Sequence, residues 1–158
     1  MGSKNLIVPK QLSHVTLWVH PDGIVEGCLF LRMDDGELKP EVPIEVLNHP
    51  SPFIVVRRED PQSIKFYNKS SIVRVHYSAE YEDDRRLPEL QCSMQMMDGS
   101  LLKGTIRREL PPDYSRLYDY LNLEQERFAK LYLDDDQVCL VNKAYIVCVS
   151  EVGASSIS

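Results

Sequence analysis

The residues whose types could do chemistry are scattered along the chain. The four histidines, His14, His20, His49 and His76, have neither the HxH nor the HxxxH spacing that metal sites on strands and helices use. The run Asp134-Asp135-Asp136 lacks the alternating carboxylates and the glycine of a calcium-binding loop, so it is interpreted as a solvated turn. The sequence therefore predicts no metal site.

Candidate nucleophiles and phosphate-binding loops are equally weak. No serine stands in a Gly-x-Ser-x-Gly motif, and the 7 glycines are too dispersed to cradle a phosphate. The cysteines have no CxxC spacing, and each lies in an apolar run; they are Cys28, Cys92, Cys139 and Cys148. This pattern favours buried, reduced thiols in a cytoplasmic protein. We therefore predict that the protein is not an enzyme and carries no cofactor, with an enzyme site between two halves of the chain as an open alternative.

Basic residues occur in two patterns. Lys69 and Lys143 follow an asparagine in matching turns, where a lysine could contact an anion or simply suit a tight turn, which is the favoured interpretation. Arginine pairs such as Arg57-Arg58 and Arg107-Arg108 could form a basic surface, but charged strand edges also prevent aggregation. The formal net charge of −6 disfavours nucleic-acid binding driven by phosphate contacts, although a local patch stays possible.

The two turn lysines belong to an internal repeat. Residues 64–75, Ile-Lys-Phe-Tyr-Asn-Lys-Ser-Ser-Ile-Val-Arg-Val, correspond to residues 138–149, Val-Cys-Leu-Val-Asn-Lys-Ala-Tyr-Ile-Val-Cys-Val, 74 positions later. Further matches in the same order are Asp22-Gly23 with Asp98-Gly99, Gly27 with Gly104, Leu47-Asn48 with Leu121-Asn122, and Phe53 with Phe128.

The repeat predicts the domain organisation. We define repeat 1 as residues 11–78 and repeat 2 as residues 88–152, joined by a linker of mixed charge at 79–87 and followed by a disordered tail at 153–158. Each repeat is near the lower size limit for independent folding, so the two are expected to bury surface against each other.

The elements that carry these residues are mostly strands. Val15, Leu17 and Val19 alternate with polar residues, which is the period of a half-buried strand. Asp-Gly between strands predicts a type I′ hairpin turn, at Asp22-Gly23 and at Asp98-Gly99. A glycine inside the next strand predicts a bend or a close backbone approach, at Gly27 and Gly104. Asn68 and Asn142 are predicted to form tight turns, since asparagine tolerates a left-handed backbone.

We therefore expect a mainly β fold of two tandem, small, five-stranded SH3-like or Sm-like barrels, with a short helical turn in each. Trp18 lies on the strand face opposite Val15, Leu17 and Val19, and is predicted to pack outside its own barrel. Arg74 and His76 lie on a strand face that changes character between repeats. Trp18, Arg74 and His76 are therefore the candidate partner contacts.

The order of these motifs resembles that of Sm-like small β-barrel proteins. Asp22, Gly23, Gly27 and Asn48, and again Asp98, Gly99, Gly104 and Asn122, follow the order of the first Sm motif. The Asn-Lys turn stands where that family has Arg-Gly, and a proline-rich loop separates the bent strand from the asparagine. The resemblance implies the barrel fold and, more weakly, RNA binding. The chain is also similar to uncharacterised bacterial proteins with Arg-Leu-x-Asp-Tyr-Leu-Asn followed by Asn-Lys-x-Tyr-Ile, a likeness that implies no activity.

Strand edges of small barrels can pair with a strand of a partner protein, and this favours a protein-interaction module over an RNA-binding protein or an enzyme. We expect a non-enzymatic cytoplasmic protein-interaction or assembly module that binds a protein partner or associates with itself. An Sm-like RNA-binding protein is the first alternative. The sequence has no signal-peptide pattern at its start and no apolar run near the ~20 residues that a membrane helix needs. The partner and the oligomeric state remain open.

Overall fold

The computed structural model describes residues 10–33, 39–79, 87–108, 116–134 and 136–152. The strands in them are β1 (Lys10–Val19), β2 (Gly23–Arg32), β3 (Phe53–Glu59), β4 (Gln62–Asn68), β5 (Ile72–Ser78), β6 (Glu89–Met96), β7 (Leu101–Arg107), β8 (Phe128–Tyr132), β9 (Gln137–Asn142) and β10 (Ile146–Glu151). The helices are α1 (Pro43–Asn48) and α2 (Arg116–Leu121), and Lys69–Ser71 and Lys143–Tyr145 form 3-10 turns. Most of the predicted linker, residues 80–86, and the predicted tail lie outside the described residues.

The strands form one open antiparallel sheet in the order β10-β6-β7-β8-β9-β5-β1-β2-β3-β4. Repeat 1 contributes β5-β1-β2-β3-β4 and repeat 2 contributes β10-β6-β7-β8-β9, which is the same order twice. The predicted mainly β fold is confirmed. The sheet does not divide into the two separate five-stranded barrels that were expected, because pairing between β5 and β9 joins the two sets. That pairing satisfies backbone groups that two isolated strand edges would leave open.

Two apolar cores lie along this sheet. One is built around Val15, Leu17 and Val19 of β1, as the alternating pattern predicts, and the other around Cys92, Met94 and Met96 of β6. The first core is not made by repeat 1 alone. Residues of β8 and β9, which belong to repeat 2, also enter it.

The hairpin turns differ from the predicted type I′. Among the described residues, Gly23 has φ 88° and Gly99 has φ 89°, whereas neither Asp22 nor Asp98 has a positive φ. In the second turn the Gly99 amide donates to the Met96 carbonyl at 2.9 Å, so the aspartate sits in the turn and the glycine follows it. This is the longer hairpin loop in which only the last residue must be left-handed. The type I′ assignment was therefore wrong, although both glycines are needed.

The strand glycines lie where another backbone comes close. A Cβ added at Gly27 would stand 2.8 Å from the Arg57 carbonyl oxygen, and one at Gly104 would stand 2.5 Å from that of Tyr132. Both glycines are in the second strand of their repeat and face the adjacent third strand, β3 or β8. A side chain at either position would push these strands apart.

The predicted helical turns are the two short helices. α1 begins with Pro43, whose fixed φ suits the first helical residue, and the Glu45 carboxylate accepts from the Val42 amide at 3.0 Å. α2 ends at Leu121, just before Asn122. Neither of these six-residue helices has the length to cross a bilayer, and the described residues contain no other candidate span.

Candidate functional site

The junction between the repeats combines strand pairing with shared side-chain packing. β5 and β9 pair antiparallel, with Arg74 opposite Val141 and Val75 opposite Leu140. Val75 and Leu140 both have 0% exposure. Four repeat 2 side chains fill the repeat 1 core from this side: Phe128, Tyr132, Val138 and Leu140. The junction is therefore a shared core as well as a shared sheet.

Two asparagines fasten the junction with polar contacts. The Asn48 side chain holds both backbone groups of Phe128: its carbonyl accepts from the Phe128 amide at 2.7 Å, and its amide donates to the Phe128 oxygen at 3.2 Å. Asn142 is fully buried, and its amide donates to the carbonyls of Lys69 at 3.1 Å and Ile72 at 2.9 Å. One asparagine from each repeat thus binds the backbone of the other.

The surface of β3 and β4 in repeat 1 is equivalent to the β8 and β9 surface of the junction, but no second repeat covers it. Phe53 and Val55 of β3 and Ile64 and Phe66 of β4 are 51%, 39%, 49% and 68% exposed. The register places Val55 opposite Phe66, so all four side chains lie on one face. We call this set the β3–β4 patch. Three of its members are the repeat equivalents of buried junction residues, as Phe53 matches Phe128, Ile64 matches Val138 and Phe66 matches Leu140.

At the far end of the sheet, β10 is the other outermost strand. It is the repeat equivalent of β5, so its outer edge corresponds to the edge that receives β9 inside the chain. Val147 is 57% exposed there, and Val149 is half-buried. Asn122, the equivalent of Asn48, is exposed, and among the described residues its amide donates to the Tyr118 carbonyl of its own helix, at 2.8 Å. The β5 side of the junction therefore has an equivalent in repeat 2, formed by β10 and Asn122, which no strand of the sheet covers.

The predicted contact residues Trp18, Arg74 and His76 come together in one cluster. The Trp18 and His76 ring centroids are 4.4 Å apart, and the Arg74 guanidinium lies 4.4 Å from the Trp18 ring. Both His76 and Arg74 lie in β5 of the same repeat as Trp18, and the expected contact of Trp18 outside its own barrel stays a prediction. Arg74 continues to repeat 2, where it donates to the Ser100 hydroxyl at 3.1 Å. Burial and the neighbouring Arg74 charge lower the pKa of His76 to about 4.

The turn asparagines and lysines cap local structure. The side chains of Asn68 and Asn142 accept from the amides of Ser70 and Ala144, at 2.8 and 3.0 Å. The Lys69 ammonium donates to the His49 carbonyl, just after α1, and the Lys143 ammonium donates to carbonyls of Tyr120 and Leu123, at the end of α2. Burial lowers the pKa of both lysines. These lysines therefore bind the carbonyls that the helix ends leave open.

A cleft of about 320 Å³ between the repeats is the natural place to seek an enzyme site. Four of its lining residues contact one another: Arg108 forms an ion pair with Glu126, and the Tyr120 hydroxyl accepts from the Lys130 amide at 3.0 Å. The described residues hold no group of three metal-ligating side chains here or elsewhere.

The thiols have the environments that the apolar runs predict, with one exception. Cys28, Cys92 and Cys139 are buried, and burial raises the pKa of Cys92 to about 11 and that of Cys139 to about 12. Cys148, on β10, is exposed.

The β3–β4 patch is the feature that sequence reasoning missed. A signal was present, because Phe53-Ile54-Val55-Val56 is apolar on both strand faces, as is Val138-Cys139-Leu140-Val141 of β9. A strand that is apolar on both faces is typical of burial on both sides.

Comparison with known proteins adds no relative: the chain matches no protein-family model, no curated protein and no solved structure.

Proposed function

We propose that this protein is a non-enzymatic protein-interaction or assembly module, built from two copies of a small barrel-like repeat, whose binding surface is the β3–β4 patch. The single observation that carries the proposal is the contrast in burial between equivalent residues. Phe128, Val138 and Leu140 have 0% exposure at the junction, whereas Phe53, Ile64 and Phe66 lie at about half exposure or more.

The energetics favour an occupant for the patch. Burying a large apolar side chain fully contributes ~1.5–3 kcal/mol, so covering four that are about half exposed contributes roughly 3–6 kcal/mol. Association costs ~4–15 kcal/mol in lost freedom, which is of the same order. Backbone pairing along the free β4 edge would add to the apolar term and would fix the register of the incoming strand. Contiguous exposed apolar patches on soluble proteins commonly mark such sites.

The turn lysines support a protein partner over RNA. In the Sm-like alternative, basic groups in the turn after β4 would have to contact nucleic acid. Lys69 and Lys143 instead donate to backbone carbonyls and are at least partly buried. The net charge of −6 adds no general attraction for phosphate.

The test compares Phe66→Ser, in the patch, with Ile24→Ser, a matched control at a site that is 62% exposed and lies at the start of β2. Solution mass and pull-down from the native cell, with and without nuclease, report association. We expect association to be lost in Phe66→Ser and kept in Ile24→Ser, to resist nuclease, and to depend weakly on salt. If both variants behave like the parent protein, the patch is not the binding surface. Nuclease-sensitive association that weakens steeply with salt would instead favour the RNA-binding alternative.

A further inference from the structure

We infer that the β3–β4 patch of one copy receives the β10 edge of a second copy of this chain, in the register that joins β9 to β5 inside the chain. This inference rests on the proposed function and names its partner. The copies would then add head to tail.

The two free edges of the sheet are complementary by construction. β4 and β10 are its outermost strands, and their repeat equivalents, β9 and β5, pair antiparallel with each other. Each chain thus carries one unused copy of both sides of a junction that it already makes once. Contacts between two different surfaces of identical copies are heterologous, and they build rings or filaments.

The internal register predicts the pairs between copies. Arg74 lies opposite Val141 and Val75 opposite Leu140. Shifting each number by the 74-residue repeat offset places Cys148 opposite Tyr67 and Val149 opposite Phe66. Phe66 would then enter the repeat 2 core of the neighbouring copy, as Leu140 enters the repeat 1 core within the chain. This accounts for its 68% exposure in the single chain.

The polar contacts of the junction have equivalents as well. Asn48 binds the backbone of Phe128, so Asn122 of one copy would bind the backbone of Phe53 in the next. Reaching it requires Asn122 to release the 2.8 Å bond to the Tyr118 carbonyl of its own helix.

The contacts of Asn142 inside the chain also predict contacts between copies, made by its equivalent Asn68. Asn142 donates to the Lys69 and Ile72 carbonyls, so Asn68 would donate to those of Lys143 and Ile146 in the next copy. Asn68 is exposed in the single chain, with its side-chain oxygen already engaged by its own turn. Its amide group is the part that the contact needs.

The exposed thiol of Cys148 provides a direct test. In Tyr67→Cys, mild oxidation is expected to link chains into disulfide-bonded dimers and higher multimers, because directly opposed residues have Cβ atoms ~4.5–5.5 Å apart. Lys65→Cys is the matched control. It lies two residues along β4, ~7 Å from the position opposite Cys148, and is expected to link several-fold less. Adding Cys148→Ser to Tyr67→Cys is expected to abolish the multimers.

Tyr67 packs partly against the repeat 1 core, so Tyr67→Cys could misfold. A second cysteine pair therefore tests the same register without changing Tyr67. Lys65→Cys with Ser150→Cys, in a Cys148→Ser background, joins two exposed positions that the same register places opposite each other. Linked multimers from this variant support the proposal. Absence of multimers from both pairs overturns it, and so does a disulfide within one chain, since that would mean that the sheet closes on itself.

The two proposals fail in different ways. If neither cysteine pair links copies but Phe66→Ser still loses an association that Ile24→Ser keeps, the patch binds a different protein and only the head-to-tail inference is wrong. If Phe66→Ser also changes no association, both proposals are wrong.

Discussion

Asn142 and Asn68 are equivalent residues with unequal contacts, and replacing each by alanine compares an occupied junction with a free edge. Asn142 is buried and makes three side-chain hydrogen bonds, to the amide of Ala144 and to the carbonyls of Lys69 and Ile72. Asn68 is exposed, and its side chain accepts from the Ser70 amide.

The expected losses follow from these bonds. Each variant loses a capping bond of ~1 kcal/mol. Asn142→Ala also loses two bonds to repeat 1, at ~1 kcal/mol each. We therefore expect Asn142→Ala to lower the free energy of unfolding by about 3 kcal/mol and Asn68→Ala by about 1 kcal/mol, a difference of about 2 kcal/mol.

Urea unfolding followed by Trp18 fluorescence measures both losses, with unchanged m-values as the control that both variants unfold in the same way. The protein concentration must be low enough to keep copies apart, because Asn68 has a second role in assembly under the head-to-tail inference. Equal losses, within ~0.5 kcal/mol, would refute the reasoning, since the bonds from Asn142 to repeat 1 would then contribute nothing.

Three further predictions concern the fold. Gly104→Val is expected to destabilise by more than the ~1 kcal/mol typical of point mutants, because its Cβ would lie 2.5 Å from the Tyr132 oxygen; an unchanged melting temperature would contradict the close approach. The lowered pKa of His76 means that the unfolded chain binds a proton more readily, so stability is expected to fall as pH drops from about 6.5 to about 4. His76→Asn should flatten that pH dependence, and an unaltered profile would assign it to other groups. Fragments 1–80 and 86–158 are each expected to melt below the intact chain, and the shared core is wrong if both melt as high.

Local signals account for the parts of the fold that the sequence predicts. Alternation around Val15 and Leu17, the Asp-Gly turns and the repeated Asn-Lys turn each act within about ten residues, so a single sequence carries them. The error in hairpin type is local too, because Asp-Gly fits both a two-residue turn and a longer loop in which only glycine is left-handed.

The junction is a different kind of feature. β5 and β9 are about 60 residues apart in sequence, and the residue pattern of neither strand predicts that it pairs with the other. The apolar residues on both faces of β9 indicate that it is covered twice, but not by what. In β3 the Ile54 and Val56 face is buried, but the Phe53 and Val55 face is exposed in the single chain, and that contrast becomes visible only when the repeats are placed in one sheet. Lys69 and Lys143 show the same limit, because their helix carbonyls lie about 20 residues earlier.

The two versions of the junction differ in several rows of side chains, and in one row charged residues replace buried tyrosines. Inside the chain, Tyr77 lies opposite Val138, which lies opposite Tyr132, and all three are buried. The equivalent row between copies would be Glu151, Ile64 and Arg57, with a charged residue in place of each tyrosine.

Charged side chains return to water at little cost, whereas two tyrosines would expose large apolar rings. In the free chain Glu151 is exposed, and Arg57 Nη2 pairs with the Glu59 carboxylate at 3.0 Å, so each charge has water or a counter-ion without a partner copy. The junction inside the chain is thus built to be permanent. Under the head-to-tail inference, the one between copies would separate more readily.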